Sequence, residues 1–320
     1  MIVRLFNFSK VFGGQERYAE NLVETLGKRG IQSQIFSDTT TLKEVIKSTS
    51  KDDVTILNGN AALYKFVFIK KKSFWVYVQH SDINDSQVSL WKIITRKFLI
   101  KLLLMRVDLV VRVCNRALPD FYAPNKIKTI YNGVHLPDRV HLSSISDGMV
   151  NLLMVGAVNH NKNQRLVLDA LAHLRNCNLT IVGSGPDLGD LKEYAKQIGV
   201  SARVFWKGFE TDIDKFYRQA DLLLLLSFNE AFPYVVLESM SHGTPVLSVK
   251  VGGVPEILKH NSNGWLLEDY ETQSLIDSVN HIISAPDNYV QVAKSARKTI
   301  EDNFTLDKVT NELIEHIFKE

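Results

Sequence analysis

Apolar residues recur along this chain in two alternating rhythms. Short continuous runs are followed by longer stretches in which apolar positions return every three or four residues. The short runs fall at 1–8, 31–36, 53–58 (DVTILN), 73–79 (SFWVYVQ) and 107–113, and each reads as a buried strand of a parallel sheet. The stretch after the first run places Tyr18, Leu22, Val23 and Leu26 on one face of a helix that ends at Gly30. A short helix and IKTIYNGV follow the fifth run. Residues 135–148, rich in Ser, Asp, Pro and His, break the rhythm and read as a linker with a hinge. It then restarts with NLLMVGAV, and helices are expected at 271–284, 287–302 and 305–318. Strand and helix alternating in this way predict an α/β fold of two Rossmann-like domains.

The densest chemistry lies in residues 221–249, DLLLLLSFNEAFPYVVLESMSHGTPVLSV. A buried strand, Leu222 to Leu226, empties into a polar loop before Phe232 and Pro233 open a helix. Proline is tolerated at the first helical position, so Tyr234, Val235 and Val236 should present amides at the helix end, where the dipole favours a phosphate. Glu230 precedes the helix, and Glu238 lies roughly 8 Å along its axis from Pro233. Carboxylates accept hydroxyl hydrogen bonds well. Two of them bracketing an anion site suit a sugar, a diphosphate and a ribose in line, which describes a nucleotide sugar. Two glutamates alone are more often a solvated pair; the surrounding strand, loop, proline and second strand reverse that preference.

Length and charge bound the rest. The 320 residues fit two domains, and 45% hydrophobic content supplies a core for each. Runs such as 98–105 are too short to cross a bilayer. The N-terminal run has no charged segment and cleavage site of a signal peptide, so a cytoplasmic location is expected. Cys114 and Cys177 lack metal-ligand or disulfide-framework spacing. Residues 1–148 hold 22 Lys and Arg against 13 Asp and Glu, whereas 149–320 hold 16 against 22. The basic first half points to an anionic surface or acceptor. No nucleic-acid motif accompanies it.

Residues 230–246 resemble the signature of retaining glycosyltransferases of GT-B fold, family four: Glu230, Glu238 and Gly243-Thr244-Pro245-Val246 match in order. Gly13-Gly14 with Glu16 resembles the family's Gly-Gly-x-Glu loop, His80 its strand-end histidine, and Tyr131-Asn132-Gly133-Val134 the turn leaving the first domain, with His135 replacing an aspartate. Val182-Gly183-Ser184-Gly185-Pro186 and Gly252-Gly253-Val254-Pro255-Glu256 also match, and the likeness is strongest over 150–267. The resemblance implies two domains facing across a cleft, 1–135 for the acceptor and 136–304 for the nucleotide sugar, with 305–320 returning to the first.

It further implies sugar transfer from a nucleoside diphosphate, UDP favoured over GDP, to a hydroxyl with retention and without a metal. His80 and Ser81 would meet the reacting sugar and acceptor, with Glu16 beside them. Glu230 would hold donor hydroxyls and Glu238 the ribose. Gly13, Gly14, Lys162 and the helix mouth from Phe232 to Val235 would surround the diphosphate, and the turn at Gly183 with the strand around Val204 to Gly208 would border the base. Ala157 stands where the family carries an arginine, so either Arg165 or a residue of the other domain supplies the second cation, or donor binding is weaker. A nucleotide-sugar epimerase or hydrolase of this fold, or a noncatalytic GT-B subunit, stays open.

Residues 87–106 form a further amphipathic pattern, with Trp91, Ile94, Phe98, Leu102 and Met105 along one stripe and Lys92, Arg96, Lys97 and Lys101 around it. Such a helix either packs its stripe on the sheet or lays it in a membrane interface. The run Lys70, Lys71 and Lys72 favours the membrane, and a lipid-linked or surface glycan as acceptor.

Overall fold

The computed structural model describes residues 1–9, 13–40, 42–81, 90–138, 145 and 148–318, except the side chains of 90–93 and 96. The first elements are β1 (Val3–Asn7), α1 (Gly14–Lys28), β2 (Ser33–Phe36), α2 (Leu42–Ser48), β3 (Val54–Asn58), α3 (Asn60–Lys65), β4 (Phe74–Gln79), α4 (Leu90–Leu104), β5 (Leu109–Arg112) and β6 (Ile127–Thr129). There follow β7 (Val150–Val155), α5 (Gln164–Leu171), β8 (Cys177–Val182), α6 (Leu188–Gln197), β9 (Val204–Gly208), α7 (Asp214–Gln219), β10 (Leu222–Leu225) and α8 (Tyr234–Ser241). The chain ends with β11 (Val246–Val249), α9 (Val254–Ile257), β12 (Trp265–Leu267), α10 (Thr272–Ile283), α11 (Pro286–Asn303) and α12 (Leu306–Ile317). These divide into two compact units, Met1–Gly133 with Phe304–Glu320, and Val134–Asn303. Most of the expected linker lies outside the described residues.

Each unit is a six-stranded parallel sheet, ordered β2-β1-β3-β4-β5-β6 in the first and β12-β11-β10-β7-β8-β9 in the second. In both, the chain order reverses at one point: β1 lies between β2 and β3, and β7 between β8 and β10. Loops leaving the two strands on either side of such a point diverge to opposite faces and open a crevice at the strands' carboxyl ends. The central strands are apolar on both faces because helices cover both. All four residues of β10 are buried, and Leu222 and Leu223 are registered against Leu152 and Leu153 of β7.

The first unit's core includes Phe6, Phe66 and Trp75, with the Phe6 and Phe66 rings edge to face at 4.7 Å. Ile100, Leu103 and Leu104 carry α4 into that core. Of the two places open to the stripe, the sheet is not the one taken: Ile94, Phe98, Leu102 and Met105 are exposed. Sheet packing therefore uses the residues between the stripe positions. The lysine run also takes structural duties. Lys71 pairs with Asp108 at 2.5 Å, and Lys72 donates to the carbonyls of Ile46 and Lys47 at 3.2 and 3.3 Å.

α12 completes this unit from the far end of the sequence, joined to α1 by Arg29 and Asp307 at 3.1 Å. Gly133 lies flat against it, for a Cβ there would come within 2.5 Å of Val309 Cγ2. Both cysteines are buried, and neither forms a disulfide among the described residues.

At the amino ends of β1 and β3, Arg4 and Asp53 form a buried ion pair, and Asp53 also accepts from the amides of Ile2 and Ser50, both at 2.8 Å. Burial pushes the Asp53 carboxyl up, but those amides and the Arg4 guanidinium outweigh it and hold the pKa below its usual value. The pair's stability is therefore present above the unfolded carboxyl's pKa near 3.9 and lost as pH falls through the lower folded value. Asp53→Ala, which leaves Arg4 buried without its partner, should lower the unfolding free energy by about 3–5 kcal/mol in denaturant titration at neutral pH. The gap between variant and parent should close below about pH 4.

Candidate functional site

In the second unit the loops after β7 and β10 flank the reversal point. Asn159 Oδ1 accepts from the Lys162 amide at 3.3 Å and caps a 3₁₀ turn, His160–Lys162. That turn aims Lys162 Nζ at Glu230 Oε1, 2.5 Å away, and both side chains are largely buried. Asn161 fixes the pair by joining the two loops. Its carbonyl accepts from the Phe228 amide at 2.9 Å, and its Nδ2 donates to the Asn229 carbonyl at 3.1 Å. The His160 and Phe228 rings meet alongside at 5.1 Å.

A third loop supports Glu230 from behind. Gly252 has φ +53°, and a Cβ on it would lie 1.7 Å from the Glu230 carbonyl oxygen. The Gly253 amide donates to the Ala231 carbonyl at 2.6 Å. Gly183 works in the same way for the β7 loop: it has φ +145°, and a Cβ would meet the Gly156 carbonyl oxygen at 1.8 Å. Close backbone packing accounts for Gly183. Between these loops is a narrow cavity whose lining includes Gly156, Lys162, Gln164, Leu226 and Ser227. Ser227 Oγ and Gln164 Oε1 are buried there with no hydrogen-bond partner among the described residues.

α8 begins one residue later than expected. Pro233 is its N-cap, with φ −73° and ψ 122°, and the Val236 amide is taken by the Pro233 carbonyl at 3.2 Å. Phe232 and Tyr234 are buried, while Val235 is half-buried. One turn further, Tyr217 Oη donates to Glu238 Oε2 at 2.7 Å. Tyr217 is wholly buried, its ring stacks on His242 at 5.4 Å, and Thr244 Oγ1 donates to its carbonyl at 2.7 Å. The Gly-Thr-Pro-Val segment thus secures the tyrosine that orients Glu238. Arg165 stands apart from this group. It is exposed on α5, its guanidinium 3.9 Å from the Tyr194 ring centre, and the second cation expected of it is not beside Lys162.

The first unit gathers a polar cluster at its own reversal point. Asn7 and Asn58 end β1 and β3, and Gln15 on α1 bridges them, donating to Asn7 Oδ1 at 2.8 Å and to the Asn58 carbonyl at 2.6 Å. Glu16 is half-buried and accepts from Asn7 Nδ2 at 3.4 Å. Gly13 caps α1 and Gly14 begins it, while residues 10–12 before them lie outside the described residues. Asn58 Nδ2 donates to the Gln15 carbonyl at 2.9 Å, which turns its Oδ1 toward His80 Nε2, 2.6 Å away. Nε2 must then carry the proton, leaving Nδ1 as an acceptor. Desolvation pushes the His80 pKa down to about 3, so the ring is neutral at physiological pH.

Tyr18 packs edge-on against His80 at 4.9 Å, and burial raises its phenol pKa. Ser81 is exposed and its carbonyl accepts from Gln79 Nε2 at 2.5 Å; residues 82–89 lie outside the described residues. Among the described residues no group of three His, Cys, Asp or Glu side chains is placed to hold a metal.

Motif reading passed over Asn7, Gln15, Asn58, Asn161 and Tyr217. A signal for Asn7 and Asn58 was present, since an Asn closing an otherwise apolar buried strand must find partners beyond the ladder. Tyr217 carried none, because its contact with Glu238 joins residues of two different helices.

Residues 143–299 match the family of glycosyl transferases group 1. The chain is 26% identical over 207 residues to the N-acetyl-alpha-D-glucosaminyl L-malate synthase of Bacillus anthracis, covering 60% of this chain and 54% of that protein. It is 25% identical over 174 residues to the lipopolysaccharide core biosynthesis glycosyltransferase LpsE of Rhizobium meliloti, covering 54% and 51%. The matches thus span about half the length of these curated relatives. Among solved structures, HepE of Anabaena in complex with UDP superposes with a TM-score of 0.82 over 98% of both chains at 21% identity, and its complex with UDP-glucose does so equally. That likeness establishes a shared fold, the GT-B arrangement of two α/β domains.

Gly252→Ala would drive a methyl group into the Glu230 carbonyl and should destabilise the protein by about 1–3 kcal/mol in thermal unfolding. Gly189→Ala, where nothing lies within 4 Å of the added carbon, is the matched control and should leave stability unchanged or slightly raised.

Proposed function

Residues 143–299 match the glycosyl transferases group 1 family, and we propose that the chain belongs to it and is a retaining transferase moving a sugar from a UDP-sugar to a hydroxyl of a glycan or lipid-linked acceptor. The observation that carries this is the Lys162–Glu230 pair, held by three loops at the reversal point of the second sheet, next to the start of α8. One cation, one carboxylate and one helix end thereby converge within a single crevice. The α8 helix end and Lys162 bind the diphosphate, Glu230 accepts from donor-sugar hydroxyls, and Glu238, oriented by Tyr217, accepts from the ribose.

Physical demand on the site grows as the donor bond breaks. Negative charge accumulates on the departing diphosphate and positive charge on the sugar ring. Fixed N–H dipoles and an ammonium therefore stabilise the transition state more than the ground state. Glu230 holds Lys162 in place for this, so the ammonium needs little reorganisation during reaction. In the first unit, neutral His80 offers no charge to repel a developing oxocarbenium ion, and its unprotonated Nδ1 is available to a sugar or acceptor hydroxyl. The diphosphate itself takes the acceptor proton. No metal enters this mechanism, and with Ala157 in place of arginine Lys162 is the cation it assigns to the diphosphate. UDP is favoured as the leaving group because HepE, of the same fold, binds UDP and UDP-glucose. Lipopolysaccharide core synthesis by LpsE supports a glycan acceptor.

Incubation with UDP- and GDP-sugars, with and without lipid-linked glycans, distinguishes the competing activities. Nucleotide release that depends on the acceptor is expected. Isomerised donor without acceptor would identify an epimerase, acceptor-independent hydrolysis a hydrolase, and failure to bind any nucleotide a noncatalytic subunit. Glu230→Gln, which neutralises the partner of Lys162, should lower kcat about 10²–10³-fold. Glu238→Ala and Tyr217→Phe should weaken UDP binding in calorimetry, the alanine more than the phenylalanine. Unchanged UDP affinity in Glu238→Ala would remove the ribose assignment.

A further inference from the structure

We infer that the outer face of α4, with Phe68 beside its C-terminal end, docks on an anionic lipid bilayer. The inference stands independently of the chemistry of either crevice. Along α4 the side chains of Ile94, Phe98, Leu102 and Met105 are 53%, 65%, 46% and 73% exposed, although they follow one another on a single face. The helix's debt to its own core is already met by Ile100, Leu103 and Leu104, exposed by 6% or less. Nothing in the packing of the first unit requires the outer residues to be apolar. Phe68 extends the surface: it is 98% exposed, and its turn is tied to the end of α4 by Arg106, which donates to the carbonyls of Phe66 (3.2 Å), Val67 and Ile69.

Charge selects the occupant. From Gln87 to Val107 the sequence holds Lys92, Arg96, Lys97, Lys101 and Arg106 and no Asp or Glu. Lys97 and Lys101 border the apolar face on one side and enter no ion pair among the described residues. A second copy of the chain docked through this face would bring two basic, lysine-bordered surfaces together with no acid in the segment to neutralise them. A bilayer containing anionic lipid suits both halves of the surface. Aromatic and aliphatic side chains enter the boundary of the acyl layer, and the ammonium groups meet phosphates. No helix among the described residues is long and apolar enough to cross a membrane, so this contact is interfacial.

The test is co-sedimentation of the full chain with vesicles of phosphatidylcholine alone and of phosphatidylcholine mixed with phosphatidylglycerol. Binding should be at least about tenfold tighter to the mixed vesicles and should fall as salt is raised. The double variant Phe68→Ser/Phe98→Ser should lose at least about tenfold in affinity, and Lys97→Gln/Lys101→Gln about fivefold for each lysine. Because these side chains are exposed or at the rim, thermal unfolding of both variants should match the parent, which separates lost docking from lost folding. Three results would overturn the inference: a parent protein that ignores phosphatidylglycerol, a serine variant that binds as well as the parent, or a dimer in solution that the serine variant dissociates. The last would assign the face to a second copy. UDP binding should be the same in parent and variants, so a failure here leaves the proposed chemistry standing, and the reverse.

Discussion

A buried ammonium and a buried carboxylate can share a protein interior only if each is held against the other by groups that do not yield. In this molecule that requirement falls on Lys162 and Glu230, and the backbone around them is arranged to meet it. The β7 loop is fastened by its Asn159 cap, the β10 loop by Asn161, and the turn at Gly252 and Gly253 closes from behind. None of these supports reaches the reacting atoms. Their effect is to remove the freedom that would let the pair drift into solvent, where its attraction is worth little.

The same logic runs through the first unit in a neutral key. Asn7, Gln15, Asn58 and His80 are linked through amide groups, and the direction of each hydrogen bond follows from the one before it. A chain of oriented dipoles sets the tautomer of His80 without a charged partner. Desolvation does the remainder by disfavouring the imidazolium. The two halves therefore prepare for polar ligands differently: one fixes a charge, and the other fixes a proton.

Much of this was legible in the sequence because it is local. Strand runs and the last three helices follow from periodicity, and Glu230 and Glu238 stand out by their place around one helix. What was illegible depends on which residues meet across the fold. The α4 stripe read equally well as a core face or an outer face, since amphipathicity gives a helix two sides without saying which is covered. Only the positions of Ile100, Leu103 and Leu104 against β4 and β5 resolved it. The α8 cap differed by one residue because proline accepts either place, and the Val236 amide decided between them. Arg165 was an attractive candidate by proximity in sequence, but the left-handed Asn163 separates the turn that carries Lys162 from α5, and Arg165 on that helix lies over the Tyr194 ring of α6.

The return of the chain's end to its beginning has a practical corollary. With Phe304–Glu320 belonging to the same unit as Met1–Gly133, that unit is discontinuous in the gene, whereas Val134–Asn303 is one uninterrupted segment. A stop codon between residues 303 and 306 removes α12 with its buried Leu306, Val309 and Leu313, and bares the surfaces of α1 and Gly133 that the helix covers. Small losses at the extreme C-terminus thus wound the opposite end of the polypeptide, and an expression library cut at domain borders would recover the second unit while missing the first.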